Sequence, residues 1–133
     1  MDSFSDDLGL LREQPVREIA EQDGAILVRL RGELDVYNAG LVREALVDAA
    51  GRGRPRLIVD LGDVSFVDST LLGVFVEART HVNDRRAFLL AAPGMEVRRA
   101  LEVSGLDRHF ELHDTVASAL AAKLASDPAS QAV

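Results

Sequence analysis

Two hydroxyl groups beside a carboxylate, at Asp68, Ser69 and Thr70, are the side chains best placed to do chemistry in this chain. They follow a short apolar run typical of a buried strand, and open α/β sheets place their sites beyond the carboxyl ends of such strands. They also begin a predicted helix, whose unpaired N–H groups and dipole favour negative charge. A phosphate on Ser69 or Thr70 would therefore be compatible with the fold while adding about −1.5 to −2 charges to the surface. The alternative is that these residues only cap the helix.

Two more carboxylates, Asp60 and Asp63, precede this cluster and raise the possibility of a magnesium site or a receiver-type phosphoaspartate. A receiver also needs an acidic pair after its first strand and a lysine near its fifth. The only lysine is Lys123, in the last predicted helix. We therefore expect no metal site, and predict that Asp60 ends a strand and that Asp63 orders the following loop through Asx-type hydrogen bonds.

The histidines do not form a recognisable catalytic or metal-binding pattern. His109 and His113 are four residues apart, a spacing that would align two metal ligands on a helix. The apolar residues between them alternate as in a strand, so we do not expect the two histidines to bind one metal ion. His81 is isolated on a predicted exposed helix face. The segment 51–54 (Gly-Arg-Gly-Arg) precedes a strand, whereas a dinucleotide-binding loop must follow one. No nucleophile–base pair can be assigned, so we expect no catalysis and no cofactor.

The sequence predicts that strands and helices alternate on both sides of the 68–70 cluster. Asp23-Gly24 is typical of a two-residue hairpin turn, Asn38 is the predicted N-cap of the first helix, and Gly105 suits the left-handed turn after the third. The elements are predicted as follows: strands near residues 16–21, 25–31, 57–61, 87–91 and 109–112, and helices over 39–50, 69–82 and 97–104 and after Asp114.

This order predicts an α/β fold, with a mixed sheet of four to five strands and about four helices packed on it. We expect Val59, Phe75 and Leu101 in the core. Helical spacing predicts further inward positions: Leu41, Val42, Ala45, Leu46 and Ala49 on the first helix; Leu71, Val74, Ala78 and Val82 on the second; Val97, Ala100 and Ser104 on the third; and Val116, Ala119, Leu120 and Leu124 on the last.

Length and composition limit the possible classes of protein. The 133 residues suit one domain, predicted over 15–125 with loose tails at 1–14 and 126–133. The absence of cysteine excludes disulfides and thiolate metal sites. A net charge of −7 makes nucleic acid a poor partner, and no apolar run approaches the roughly 20 residues that span a bilayer. Because the N-terminus is acidic rather than signal-like, we expect a cytoplasmic location without membrane contact.

Three separated motifs, in one order along residues 16–124, resemble the STAS domain, the fold of bacterial anti-sigma factor antagonists. The resemblance implies a regulator without catalysis of its own, and extends over nearly the whole predicted domain. The motifs are Gly32-Glu33-Leu34-Asp35, the segment from Val64 to Gly73 that contains Asp68-Ser69-Thr70, and the segment from Val97 to Leu106.

The resemblance also implies partners and a switch. In this family the unphosphorylated antagonist binds an anti-sigma factor that is also a serine kinase, and so releases a sigma factor. The kinase phosphorylates the serine after the motif aspartate, which is Ser69 here, and a metal-dependent serine phosphatase removes the phosphate. The resemblance implies that Asp35, Asp68, Thr70 and Leu71 contact the partner.

One residue departs from the family pattern, which has glycine where this chain has Leu71. Either Leu71 turns into the core, or it projects into the surface that a kinase approaches. The second case would favour an alternative function, an unswitched STAS module that acts as a scaffold or ligand sensor in a signalling complex.

Overall fold

The elements of the fold alternate along the chain in the predicted order. The computed structural model describes residues 13–122. Short 3₁₀ turns, Arg85–Ala87 and Leu106–Arg108, precede the fourth and fifth strands. The elements are β1 (Val16–Gln22), β2 (Ala25–Leu34), α1 (Ala39–Ala50), β3 (Arg56–Val67), α2 (Ser69–Arg79), β4 (Phe88–Ala91), α3 (Met95–Ser104), β5 (Glu111–His113) and α4 (Val116–Ala121).

The five strands form one mixed sheet in the order β1-β2-β3-β4-β5. β1 is antiparallel to β2, and the remaining neighbours are parallel, as right-handed crossovers through helices produce. Asp23 and Gly24 have φ angles of 52° and 81°, which is the left-handed pair that a tight hairpin turn requires. The predicted fold class and hairpin are therefore confirmed.

β3 is longer than the sequence predicts, because the predicted loop over 62–67 is part of the strand. These residues pair with the last part of β2, ending with Leu34 opposite Val67, through two register shifts, at each of which β3 has one residue more than β2. β4 pairs with β3 only as far as Asp60. The ends of β2 and β3 thus form a two-stranded extension, and α2 starts from its tip.

The strand predicted over 109–112 is also displaced, since β5 is Glu111–His113 and His109 ends the preceding 3₁₀ turn. The predicted tails lie outside the described residues, except for positions 13 and 14. Lys123 and Leu124 also lie outside the described residues. No helix in the part of the chain described, 13–122, combines the length and the apolar character needed to cross a bilayer.

The core has one part on each face of the sheet. α1, α2 and α3 cover one face, and the shorter α4 covers the other through Ala119. Val59, Phe75 and Leu101 are all fully buried, as predicted. Leu41, in contrast, is 53% exposed, so the inward stripe of α1 is narrower than the apolar spacing predicts.

Phe75→Ala should destabilise the protein by about 3–5 kcal/mol, because the phenyl ring lies at the centre of the larger core cluster and its removal leaves a cavity. Urea unfolding measures this loss. Phe66→Ala is the matched control, since Phe66 is 45% exposed and should cost less than about 1 kcal/mol. Similar losses for both variants would contradict this assignment of the helix face.

Candidate functional site

The Asp68-Ser69-Thr70 cluster lies at the tip of the two-stranded extension. The backbone N–H of Asp68 donates to the carbonyl oxygen of Leu34 at 3.1 Å, which joins the end of β3 to the end of β2. Asp35 directly follows β2, and Asp68 directly follows β3. The fold therefore brings together two of the predicted site residues that are more than thirty positions apart.

Asp68, and not Ser69, caps α2. Its backbone is extended (φ −101°, ψ −178°), and its carboxylate accepts a hydrogen bond from the Leu71 N–H at 3.1 Å. Ser69 is the first helical residue, is exposed, and among the described residues its hydroxyl has no hydrogen-bond partner. The capping function and the free hydroxyl are thus divided between neighbouring residues, so the Ser69 hydroxyl is available to react without loss of the cap.

The loop from β2 to α1 is held by a buried amide. The Nδ2 of Asn38 donates to the Glu33 carbonyl at 2.9 Å, and its Oδ1 accepts from the Asp35 N–H at 2.9 Å. The Asp35 carboxylate accepts from the Tyr37 N–H at 3.0 Å. Asn38 does occupy the predicted N-cap position, but its side chain makes no capping bond because it is directed back into the loop. The predicted cap is corrected to a loop brace that fixes Asp35.

Exposed apolar side chains flank these polar residues along the chain. Val36 is 61% exposed, Tyr37 84% and Phe66 45%. Contiguous exposed apolar groups mark contact surfaces more often than scattered ones do. Sequence reasoning missed this feature, although the adjacent pair Val36-Tyr37 in a loop was a readable signal. We name this surface the Ser69 edge, which consists of Asp35, Val36, Tyr37, Phe66, Asp68, Ser69 and Thr70.

Leu71 does not belong to the Ser69 edge. Its side chain is 0% exposed and packs within the larger core cluster, beneath the first turn of α2. The expectation that Leu71 contacts a partner is therefore corrected, because no part of its isobutyl group reaches the surface. Thr70, the preceding residue, is exposed as expected.

Gly73 lies on the same face of α2 as Ser69. Residues four apart share a helix face, so Gly73 lies one turn after Ser69, and it is exposed. A Cβ atom at this position would meet no atom within 4 Å. Packing inside the domain therefore does not require glycine here.

The remaining carboxylates do not join the site. Asp60 lies within β3, where its Oδ1 accepts from the Gly62 N–H at 2.9 Å, and Asp63 forms a 2.8 Å ion pair with Arg17 of β1. The predicted roles are corrected: Asp60 makes the Asx-type bond together with a 3.4 Å ion pair to Arg29, and Asp63, among the described residues, makes only an ion pair. Across residues 13–122, no three histidine or acidic side chains converge as they would around a metal ion.

Comparison with known proteins identifies the family of this domain. The family model of the STAS domain matches residues 17–119. The chain belongs to the STAS domain family. The match includes all of the Ser69 edge and every strand except the first residue of β1, Val16.

Relatives of this STAS domain carry regulatory names. It is 28% identical over 102 residues to the anti-sigma-F factor antagonist RsfB of Mycobacterium tuberculosis, covering 77% of this chain and 84% of RsfB. It is 34% identical over 91 residues to the anti-sigma-B factor antagonist of Staphylococcus aureus, covering 67% and 83%. The crystal structure of an anti-sigma factor antagonist from Mycobacterium paratuberculosis superposes with a TM-score of 0.73 at 28% identity, covering 77% and 88%.

Two glycines of the motifs have conformations that explain their presence in this STAS domain. Gly32 lies in β2 at φ +80°, beside a register shift, and Gly105 ends α3 at φ +79°. Both angles belong to the left-handed region, which other residues enter only with strain. The Gly105 helix end is as predicted.

Asp68→Ala should lower the free energy of unfolding by about 1 kcal/mol through loss of the α2 cap, whereas Asp68→Asn should change it by less than about 0.5 kcal/mol, since asparagine caps as well as aspartate. Urea unfolding of both variants provides the measurement. Equal losses would show that charge, rather than the bond to the Leu71 N–H, makes the contribution of Asp68. If Asp68→Asn is as stable as the wild type, this variant can be used to measure how much the charge of Asp68 contributes to binding.

Proposed function

We propose that this STAS domain is an anti-sigma factor antagonist controlled by phosphorylation of Ser69. In its unphosphorylated state it binds an anti-sigma factor with serine kinase activity, and a sigma factor is released in the cytoplasm. The observation that carries the proposal is the exposed, unbonded Ser69 hydroxyl at the start of α2, beside a cap supplied by Asp68. The names of its relatives support the same assignment.

The chemistry of the Ser69 edge supports protein binding. Tyr37 and Phe66 offer apolar area, and aromatic groups are enriched at interface centres. Asp35 and Asp68 add negative charge to a chain whose net charge is already −7. The complementary partner surface combines apolar pockets with arginine or lysine.

Phosphorylation would act on binding rather than on folding. The phosphate would lie at the N-terminus of α2, where free N–H groups and the helix dipole stabilise an anion. It would also add about −1.5 to −2 charges beside Asp68, on a surface that a partner must cover. The fold would therefore persist while docking is lost, and a metal-dependent serine phosphatase would restore the docking form.

Phosphosite mapping tests the proposal directly. The purified protein is incubated with ATP, magnesium and candidate anti-sigma kinases, and its phosphate is located by mass spectrometry. We expect phosphate on Ser69 in the wild type and in Thr70→Ala, and none in Ser69→Ala, which should still bind the kinase. A phosphate found only at another residue, or binding without phosphorylation by every kinase that binds, would reject the switch.

The protein alone should not turn over ATP or esters, because no nucleophile–base pair lies on the Ser69 edge. Hydrolysis assays with repurified protein provide the measurement, with Asp68→Ala as the comparison. Activity that survives repurification and disappears in Asp68→Ala would contradict a purely regulatory role.

The alternative of an unswitched scaffold or ligand sensor loses its motivating observation. It relied on Leu71 projecting beside the phosphate acceptor, but Leu71 is fully buried. Replacement of the family glycine therefore leaves the surface around Ser69 unobstructed.

A further inference from the structure

A concentration of positive charge lies at the end of α2 opposite Ser69. α2 runs from the Ser69 edge to Arg79, and its 11 residues span roughly 16 Å. At this far end, an open pocket of about 300 Å³ lies between the end of α2 and the turns that precede β4 and β5. We name it the arginine pocket, and the polar residues that line it are Arg79, Arg85, Arg86, Arg108, His109 and Glu111.

The positive charge of this pocket is only partly balanced. Arg86 pairs with Asp84 at 3.4 Å. Arg85 and Arg108 are exposed, and neither has an ion pair among residues 13–122. Glu111 is the single acidic side chain in the lining. Four arginines therefore line one opening of a chain whose net charge is −7.

Arg79 is held in place at the base of the pocket. Its Nη1 donates to the His109 carbonyl, and its guanidinium carbon lies 4.8 Å from the centroid of the Phe110 ring. Its Nε is buried and has no acceptor within the described residues. Burial, and then the neighbouring charge of Arg85, lower the pKa of Arg79. An unsatisfied buried donor and a nearby like charge are both unfavourable, and an anion in the pocket would relieve the charge repulsion.

We propose that the arginine pocket binds a small anion with adjacent phosphate groups, of the pyrophosphate or nucleoside diphosphate class. Planar guanidinium forks match phosphate oxygens in pairs, which compact ammonium groups do not. The arginines come from three separate segments, so they can hold more than one phosphate group. The pocket is independent of the proposed function, because it shares no residue with the Ser69 edge.

Titration of the ¹⁵N-labelled protein tests this proposal, with pyrophosphate, ADP, inorganic phosphate and sulfate added at matched ionic strength. We expect pyrophosphate and ADP to shift the amide signals of Arg85, Arg86, Arg108 and His109, and to bind at least about tenfold more tightly than phosphate or sulfate. The Ser69 amide should not move. Stronger binding of ADP than of pyrophosphate would identify a nucleotide as the ligand source, and the reverse order would identify the free anion.

The double variant Arg85→Gln/Arg108→Gln should weaken pyrophosphate binding by about tenfold or more, because two charged donors are lost. Both residues are exposed, so the fold should persist, and circular dichroism during urea unfolding checks this. Arg17→Gln, on β1 at the far side of the sheet, removes the same kind of charge and should leave binding unchanged. Equal responses to all four anions, or equal weakening by Arg17→Gln and the double variant, would overturn the proposal.

Discussion

Ser69→Asp is expected to weaken binding to the cognate anti-sigma kinase by about 100-fold or more, because a like charge placed in a docked surface costs several kcal/mol. Its free energy of unfolding should stay within about 1 kcal/mol of the wild type, and on the stable side, since an acidic group at a helix N-terminus is favourable. Calorimetric titration with the kinase measures the first effect, and urea unfolding measures the second.

Ser69→Asn is the matched control, because it has nearly the same size as Ser69→Asp and no charge. It should bind the kinase much more tightly than Ser69→Asp does. If both variants bind equally weakly, then the bulk of the side chain, and not its charge, blocks docking. If Ser69→Asp binds as well as the wild type, the phosphorylation switch is wrong.

Leu71→Gly, which restores the residue of the family pattern, should destabilise this protein by about 3–6 kcal/mol. Loss of a fully buried leucine contributes about 2–5 kcal/mol, and glycine in a helix adds about 1 kcal/mol. Urea unfolding gives the measurement, and partner binding of the folded fraction should be unchanged, because Leu71 contributes nothing to the Ser69 edge.

Thr70→Gly provides the comparison, since Thr70 is exposed in the same helical turn and carries only the conformational cost of glycine. We expect a loss of about 1 kcal/mol or less. A loss of stability in Leu71→Gly no larger than this would mean that Leu71 does not pack in the core. It would then favour the alternative in which Leu71 projects into the surface that a kinase approaches.

Local patterns were sufficient to predict the order of elements and most of the core, although Leu41 and Ser104, both predicted to face inward, are exposed. The tight turn at Asp23-Gly24 and the buried positions Val59 and Phe75 depend on spacing within single segments, and the structure has all of them. The length of β3 could not be predicted in this way. Its last residues pair with β2 through register shifts, and the pairing depends on a strand more than thirty positions earlier.

The candidate site shows the same division between local and nonlocal information. The resemblance to a family indicated Asp68 and Ser69. Only the structure shows that Asp68 caps the helix and that the Ser69 hydroxyl is unbonded within residues 13–122. The Asn38 brace links residues on both sides of a loop, and a cap is the usual interpretation of asparagine there. The arginine pocket had no signature at all, because its charges come from three separate segments.

The position of Tyr37 gives this protein a natural optical reporter. The chain has one tyrosine and no tryptophan, and that tyrosine is 84% exposed on the Ser69 edge. Its ultraviolet fluorescence therefore originates from a single point on the surface proposed for docking. Quenching by acrylamide should fall when a partner covers this point, and a partner tryptophan should accept the excitation energy. Binding at this edge can thus be followed without attaching a dye.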